Sequence, residues 1–288
     1  MGKTSIEWTD VSWNPVRGCS RVSRGCEHCY AERIAARFAG KGGRFEGFVQ
    51  ISNGHPQWTG KVQLIEAKLE EPQHWRQPRR VFVNSMSDLF YEDLHHNHRA
   101  KVAVAMQQAP WHTYQILTKR PEVMRDFAQW WCMQNTEPRL PSNWWMGVSV
   151  EDQKTADERI PVLLETPAKV RFVSYEPALG PVDVKTYLEF ESCGGGHRTR
   201  NTRLNWVIIG GESGPGARPF DLEWARNTVR QCRASSVPVF VKQLGSRPTT
   251  DHRTRPEGES PFVILRDSKG GGEMSEWPED LRVREYPR

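Results

Sequence analysis

Short apolar runs rich in β-branched and aromatic residues recur along the chain, with amphipathic stretches between them. The runs are Val81–Val83, Tyr114–Leu117, Trp145–Val150, Val170–Ser174, Trp206–Ile209 and Val237–Val241, and they read as strands. Helical spacing marks His95–Gln108, Glu122–Trp131, Thr155–Leu164 and Leu222–Ala234. Strand and helix therefore alternate, which predicts an α/β fold with a parallel sheet and right-handed crossovers. The V-I-I and V-F-V runs lack in/out alternation, as strands covered on both faces do. A parallel (β/α) barrel or TIM-like partial barrel and a doubly wound sheet both satisfy this rhythm. Residues 1–245 carry it as a single barrel-like domain; residues 246–288 form a polar extension that W-P-E-D-L-R-V-R would dock on the body. Gly40–Gly60 and Glu191–Asn205 fall outside the repeat, the latter as an Arg-bearing surface loop.

Composition narrows the partners. No apolar run approaches the roughly 18 residues of a membrane span, and the N-terminus has neither a secretory h-region nor transit-peptide character, so a cytoplasmic protein without membrane contact is expected. Forty Lys+Arg against thirty-five Asp+Glu leave a net charge of +5 and a pI near 8.9, which permits a phosphate-bearing partner without requiring one. The twelve Trp are expected to pack in the core before they stack on bases. Six Cys without a secretion signal point to reduced thiols or a metal site.

The metal reading concentrates in W-N-P-V-R-G-C-S-R-V-S-R-G-C-E-H-C-Y, where Cys19, Cys26 and Cys29 are spaced C-x6-C-x2-C in a Gly- and Pro-bearing loop before a helix-like segment. Structural zinc would need a fourth ligand such as His28 or His55, with Cys193 as another candidate. A four-iron cluster held by three Cys would keep one iron open for a cofactor or substrate. Cys132 and Cys232 fall on amphipathic helices and read as small core residues.

Ligands of barrels and open α/β sheets bind beyond the carboxyl ends of the strands. There the chain places Asn84, Ser85, Ser87 and Asp88; Thr118, Lys119 and Arg120; Glu151; Tyr175 and Glu176; Gly210, Gly211, Glu212 and Ser213; and Lys242 with Gln243. In G-G-E-S-G-P-G the glycines would let backbone approach a ligand and Glu212 would meet an α-ammonium or a ribose hydroxyl, but the spacing is not a dinucleotide fingerprint. Asp88, Glu151 and Glu176 would serve a Mg²⁺-dependent nuclease only if they converge. H-H-N-H at 95–98 invites a second metal site against the plainer reading of a solvated helix start.

Three Cys in one N-terminal loop, the last pair spaced C-x2-C around His28, followed by a β/α succession, resemble the radical S-adenosylmethionine superfamily, whose usual spacing has a shorter first gap. More closely, the chain is similar to a phage- and mobile-element-associated family with a three-Cys motif, on G-C-S-R-V-S-R-G-C-E-H-C-Y-A-E, N-S-M-S-D-L-F, L-T-K-R-P, G-V-S-V-E, S-Y-E-P-A-L-G, G-G-E-S-G-P-G-A-R-P and V-K-Q-L-G. The resemblance implies a radical-SAM-type barrel in which Cys19, Cys26 and Cys29 hold a [4Fe–4S] cluster that binds S-adenosylmethionine and yields a 5′-deoxyadenosyl radical. It implies cofactor contacts among Asn84, Ser85, Asp88, Glu151 and Gly210 to Ser213, and substrate-side roles for Lys119, Tyr175, Glu176 and Lys242, with Tyr175 as a hydrogen donor. It further implies a reductant protein, a separate partner protein and, with the basic pI, a nucleobase or nucleic-acid substrate modified or repaired in the (host) cytoplasm after the base is presented or flipped. The alternative is a non-catalytic nucleic-acid- or partner-binding protein stabilised by zinc.

Overall fold

The computed structural model describes residues 4, 6–189, 203–250, 262–266 and 270–287. Two compact units divide the chain: Met1–Gly147 with Thr166–Lys169, and Val148–Glu165 with Val170–Arg288.

In the first unit β1 (Val11–Trp13) leads through Asn14 and Pro15 to β2 (Val16–Arg17), the cysteine loop and α1 (Tyr30–Ala36). The hairpin β3 (Val49–Ser52) and β4 (His55–Trp58) turns on Asn53 and Gly54, both at positive φ (49° and 76°), as a two-residue hairpin turn requires. Helix α1 lays Ala31 and Ala35 on Phe45, Phe48 and Trp58 of this region. β5 (Gln63–Leu64) pairs antiparallel with β2. The rhythm then begins with β6 (Arg80–Val83), α2 (His96–Gln107), β7 (Thr113–Thr118) and α3 (Pro121–Gln134). Pro121 opens α3, where its missing N–H costs nothing, and Met124, Phe127, Ala128 and Trp131 form the buried stripe. β8 (Trp144–Val150) has its first four residues in this unit and its last three in the other.

The second unit continues with α4 (Gln153–Glu165), β9 (Val170–Tyr175), α5 (Lys185–Leu188), β10 (Trp206–Gly210), β11 (Phe220–Asp221), α6 (Leu222–Ala234), β12 (Val239–Gln243) and β13 (Pro248–Thr249). Asp221 caps α6 by accepting a 2.9 Å hydrogen bond from the Glu223 N–H. Every residue of β9 and β10 is buried, as expected of strands covered on both faces. Beyond β13, Trp277 and Leu281 are buried, the Val241 N–H donates to the Val283 carbonyl at 2.8 Å, and Arg284 bridges Phe240 in antiparallel sense, so residues 283–285 run along β12.

The seven long-range strands form one sheet in the order β1-β6-β7-β8-β9-β10-β12, and the registered pairs β1–β6, β6–β7, β9–β10 and β10–β12 are parallel. Spatial order follows chain order without reversal, so the sheet has no topological switch point; this is the winding of a TIM-like partial barrel and not of a doubly wound sheet. Six of the seven strands match the expected runs to within two residues at either end, β12 being displaced by two. The first, β1, was not expected at all. Eight of the twelve Trp, among them Trp13, Trp144, Trp206 and Trp277, are buried.

Gly18, between β2 and Cys19, has φ +90°, and a Cβ there would lie 1.9 Å from the Lys61 carbonyl oxygen. Gly18→Ala is therefore expected to destabilise the protein by about 2 kcal/mol or more. Gly40→Ala, where a Cβ meets nothing within 4 Å, serves as the neutral control in the same urea titration.

Candidate functional site

The cysteine loop is stitched to the carboxyl end of β6. Asn84, buried and at φ +63°, donates its N–H to the Trp13 carbonyl at 2.7 Å and accepts from the Val16 N–H through Oδ1 at 3.2 Å. Asn14 Oδ1 accepts from the Met86 N–H (2.9 Å) and the Ser85 hydroxyl (3.2 Å), and the Ser87 hydroxyl donates to the Val16 carbonyl at 2.9 Å. The phenol of Tyr30, the first residue of α1, donates to the Ser85 carbonyl. Asn84 and Ser85 thus have a structural task at the cysteine loop. Asn84 Nδ2 is buried without a hydrogen-bond partner among the described residues, and flipping the amide would remove the acceptor that Val16 uses.

Below the loop lies a buried ion pair. Asp88 Oδ2 accepts from Arg120 Nη1 at 3.0 Å, with both side chains less than a tenth exposed. Asp88 also accepts from the Thr118 hydroxyl (2.8 and 2.9 Å) and from the N–H groups of Phe90 (2.9 Å) and Lys119 (3.3 Å). The rest of the Arg120 guanidinium reaches Glu92 Oε2 at 2.7 Å and Ser20 Oγ at 2.8 Å, stands over the Tyr91 ring at 4.8 Å and places Nη1 3.9 Å from Cys19 Sγ. Burial works against its charge, but Asp88, Cys19 and Glu92 together outweigh burial and hold it protonated. Asp88, expected to bind cofactor, has its oxygens engaged by this network. Arg120 was legible as a strand-end residue, but nothing in the sequence marked it as the clamp on the cysteine loop.

Cys26 ends a 3-10 turn over Arg24–Cys26, and Cys29 stands at the N-cap of α1. The three thiols are free and partly buried, and close enough that charge on one opposes charge on another. Burial, reinforced by Asp88, pushes the Cys19 thiol up to about 12 although Arg120 pulls the other way; burial also raises Cys29. Arg21 and Glu32 form a second tie: the guanidinium grips the buried carboxylate at 2.7 Å, and that carboxylate accepts from the Trp58 N–H at 2.9 Å, joining loop, helix and hairpin.

Among the described residues, no three His, Cys, Asp or Glu side chains gather closely enough to hold one metal ion. His95 instead accepts from the Asn97 N–H at the start of α2, and His96 packs against Trp130 with ring centroids 4.1 Å apart. Cys193 lies outside the described residues, as do Arg198 and Arg200. Cys132 and Cys232 are buried on α3 and α6.

In the second unit Glu176, Lys242 and Gln243 meet at the ends of β9 and β12: Glu176 Oε1 accepts from Lys242 Nζ at 2.6 Å and from Gln243 Nε2 at 3.1 Å. Gly210 leaves room for them, since a Cβ there would lie 3.4 Å from both Glu176 Cδ and Gln243 Cγ. Other expected residues are turned to structural use. The buried Tyr175 hydroxyl donates to the Gly180 carbonyl. Glu151 is held by Arg159 Nη1, 3.2 Å from each carboxylate oxygen. Glu212 is clasped within its own loop by Arg218, Nη2 to Oε1 at 2.6 Å and Nε to Oε2 at 3.0 Å. Gly211 admits not a ligand but the Leu244 carbonyl, 2.7 Å from where its Cβ would stand; Ser213 follows in the same turn.

Fold and site define an α/β protein wound in the β/α sense, with a three-cysteine loop clamped to the ends of β6 and β7. The chain belongs to the family described as "Protein of unknown function (DUF5131)", whose model matches residues 3–269. No curated protein and no solved structure matches it.

Arg120→Met leaves Asp88 buried without its cation and is expected to cost about 3–5 kcal/mol, part of which returns in the Asp88→Asn/Arg120→Met double variant; urea titration of the three proteins measures both. In the metal-free protein, burial of the neutral Cys19 thiol contributes stability below its ordinary 9.0, and that contribution is lost as pH rises from there toward about 12. Iodoacetamide at pH 8 should accordingly modify Cys19 and Cys29 far more slowly in the folded protein than in urea, as peptide mapping would read.

Proposed function

We propose that the protein is an iron–sulfur enzyme of the radical S-adenosylmethionine type. The observation that carries this reading is the electrostatics of the cysteine loop. Three partly buried thiols crowded in one loop ionise together most readily around positive charge, and the loop that presents them is anchored by two ion pairs and the hydrogen bonds of Asn14, Asn84 and Ser87. When bound, the cluster and S-adenosylmethionine would supply one-electron cleavage of a carbon–sulfur bond, releasing methionine and a 5′-deoxyadenosyl radical that takes a hydrogen atom from substrate.

The residues of the chain do the holding. Cys19, Cys26 and Cys29 are the ligands, and Arg120 orients the first of them through Ser20 while offsetting thiolate charge. Asn84 Nδ2 is a buried donor still open to an acceptor on the cofactor. Within the second unit, Glu176 and Lys242 remain the partly exposed polar pair suited to a polar ligand. Tyr175, Glu151 and Glu212 are withdrawn from ligand contact in this reading because their polar atoms serve the fold. The substrate is a nucleobase or nucleic acid, and a reductant protein supplies the electron. Among the described residues no helix is long and apolar enough to cross a membrane.

Anaerobic reconstitution with iron and sulfide should give a brown protein that forms 5′-deoxyadenosine from S-adenosylmethionine after reduction, with Cys26→Ala losing both colour and product. A colourless protein carrying one zinc would overturn the reading in favour of a binding module.

A further inference from the structure

Between residues 17 and 44 the chain carries seven basic residues against two acidic ones, an excess of five equal to that of the whole chain. Most of the net charge thus resides in the cysteine loop, α1 and the turn that follows, an excess that falls to four when Glu46, which closes that turn by accepting from the Gly42 N–H at 2.8 Å, is included. One of the two acids, Glu32, is buried and paired with Arg21, which leaves six basic residues against Glu27. Arg24, Arg37, Lys41 and Arg44 are exposed.

The same stretch exposes apolar rings. Of the ten large apolar side chains exposed among the described residues, five lie between residues 22 and 51. Tyr30 and Ile34 lie one turn apart on the exposed side of α1 and Phe38 follows two residues beyond its end, while Ala31 and Ala35 face the core. The exposed apolar set is small: three side chains, two of them aromatic. Its rings are held in place: the Tyr30 phenol is tied to the Ser85 carbonyl, and the Arg44 guanidinium lies 4.8 Å from the Phe38 ring centroid.

We propose that this face binds single-stranded nucleic acid. Its charge complements a polyanion, and the basic groups are nearly all arginines, whose planar forks match phosphate better than lysine does. Oriented aromatic rings flanked by guanidinium groups offer what splayed bases stack on. A small apolar set bordered by charge suits a linear strand; a globular partner would want a broad apolar centre within roughly 800 Å² of contact. A lipid surface would want apolar side chains free to insert, and Tyr30 is pinned by its hydroxyl. The inference rests on the enzyme reading only in supplying its substrate class.

The test is fluorescence anisotropy of the full-length protein with a labelled, mixed-sequence single-stranded oligonucleotide of roughly 16 nucleotides, across a salt series and without iron, S-adenosylmethionine or reductant. Wild type should bind, more tightly than it binds the matching duplex. Arg37→Gln/Lys41→Gln/Arg44→Gln should weaken binding at least tenfold and lower the slope of log affinity against log salt by about 2. Phe38→Ala should cost about tenfold and Phe38→Trp should restore binding. Unchanged thermal melting would certify the fold of each variant, since the substituted side chains are exposed. Absence of oligonucleotide binding, variants that bind like wild type, or binding to phosphatidylserine vesicles with none to oligonucleotide would each overturn the proposal. Failure here leaves the cluster reading standing, and a colourless protein leaves this surface standing.

Discussion

A guanidinium removed from water must be repaid by opposite charge and filled hydrogen bonds, and the geometry of the first unit follows from how Arg120 meets that demand. The cluster joins three separate places: Asp88 and Glu92 beyond β6, Ser20 in the cysteine loop, and Arg120 itself at the end of β7. None of the three can move without stranding charge in a buried site. That coupling makes the loop part of the sheet's edge chemistry, although it contains only short elements and two glycines among its first eight residues after β2.

A division of labour follows. In the first unit, polar strand-end residues position cysteines, leaving one amide hydrogen-bond donor open; in the second, most are spent on arginines or backbone within the unit, and Glu176 and Lys242 retain partial exposure. Strand-end polarity thus serves two ends that look alike in sequence. Glu212 and Glu176 are both carboxylates just past a buried strand, yet one closes a turn with Arg218 and the other faces a lysine from a neighbouring strand end.

The alternation of strand and helix was legible because both-faces burial leaves continuous apolar runs, and helix α6 was readable to the residue. The winding of the sheet was not, since barrel and doubly wound sheets share local patterning and differ only in which strands are neighbours. β1 was hidden because three residues, V-S-W, carry too short a pattern, and its partners in β6 lie seventy residues away. The β3–β4 hairpin was visible in principle: Asn53-Gly54 between V-Q-I-S and H-P-Q-W is a strong hairpin signal, masked by the Gly-rich context that marked Gly40–Gly60 as irregular. The cysteine spacing was plain. Its anchoring by Arg120 was invisible because the two lie a hundred residues apart in the chain and are adjacent only in space.

The run of residues 283–285 along β12 also bears on how the chain is made. A strand at the border of a sheet offers unpaired amides to any extended segment that meets it, and here the amides of β12 are taken by residues synthesised some forty positions later. During translation that border stays open until those residues leave the ribosome, although every strand of the sheet has already been made. A chain halted before them would leave that border open to other strands, so residues 283–285 act as the stopper that ends its appetite for them.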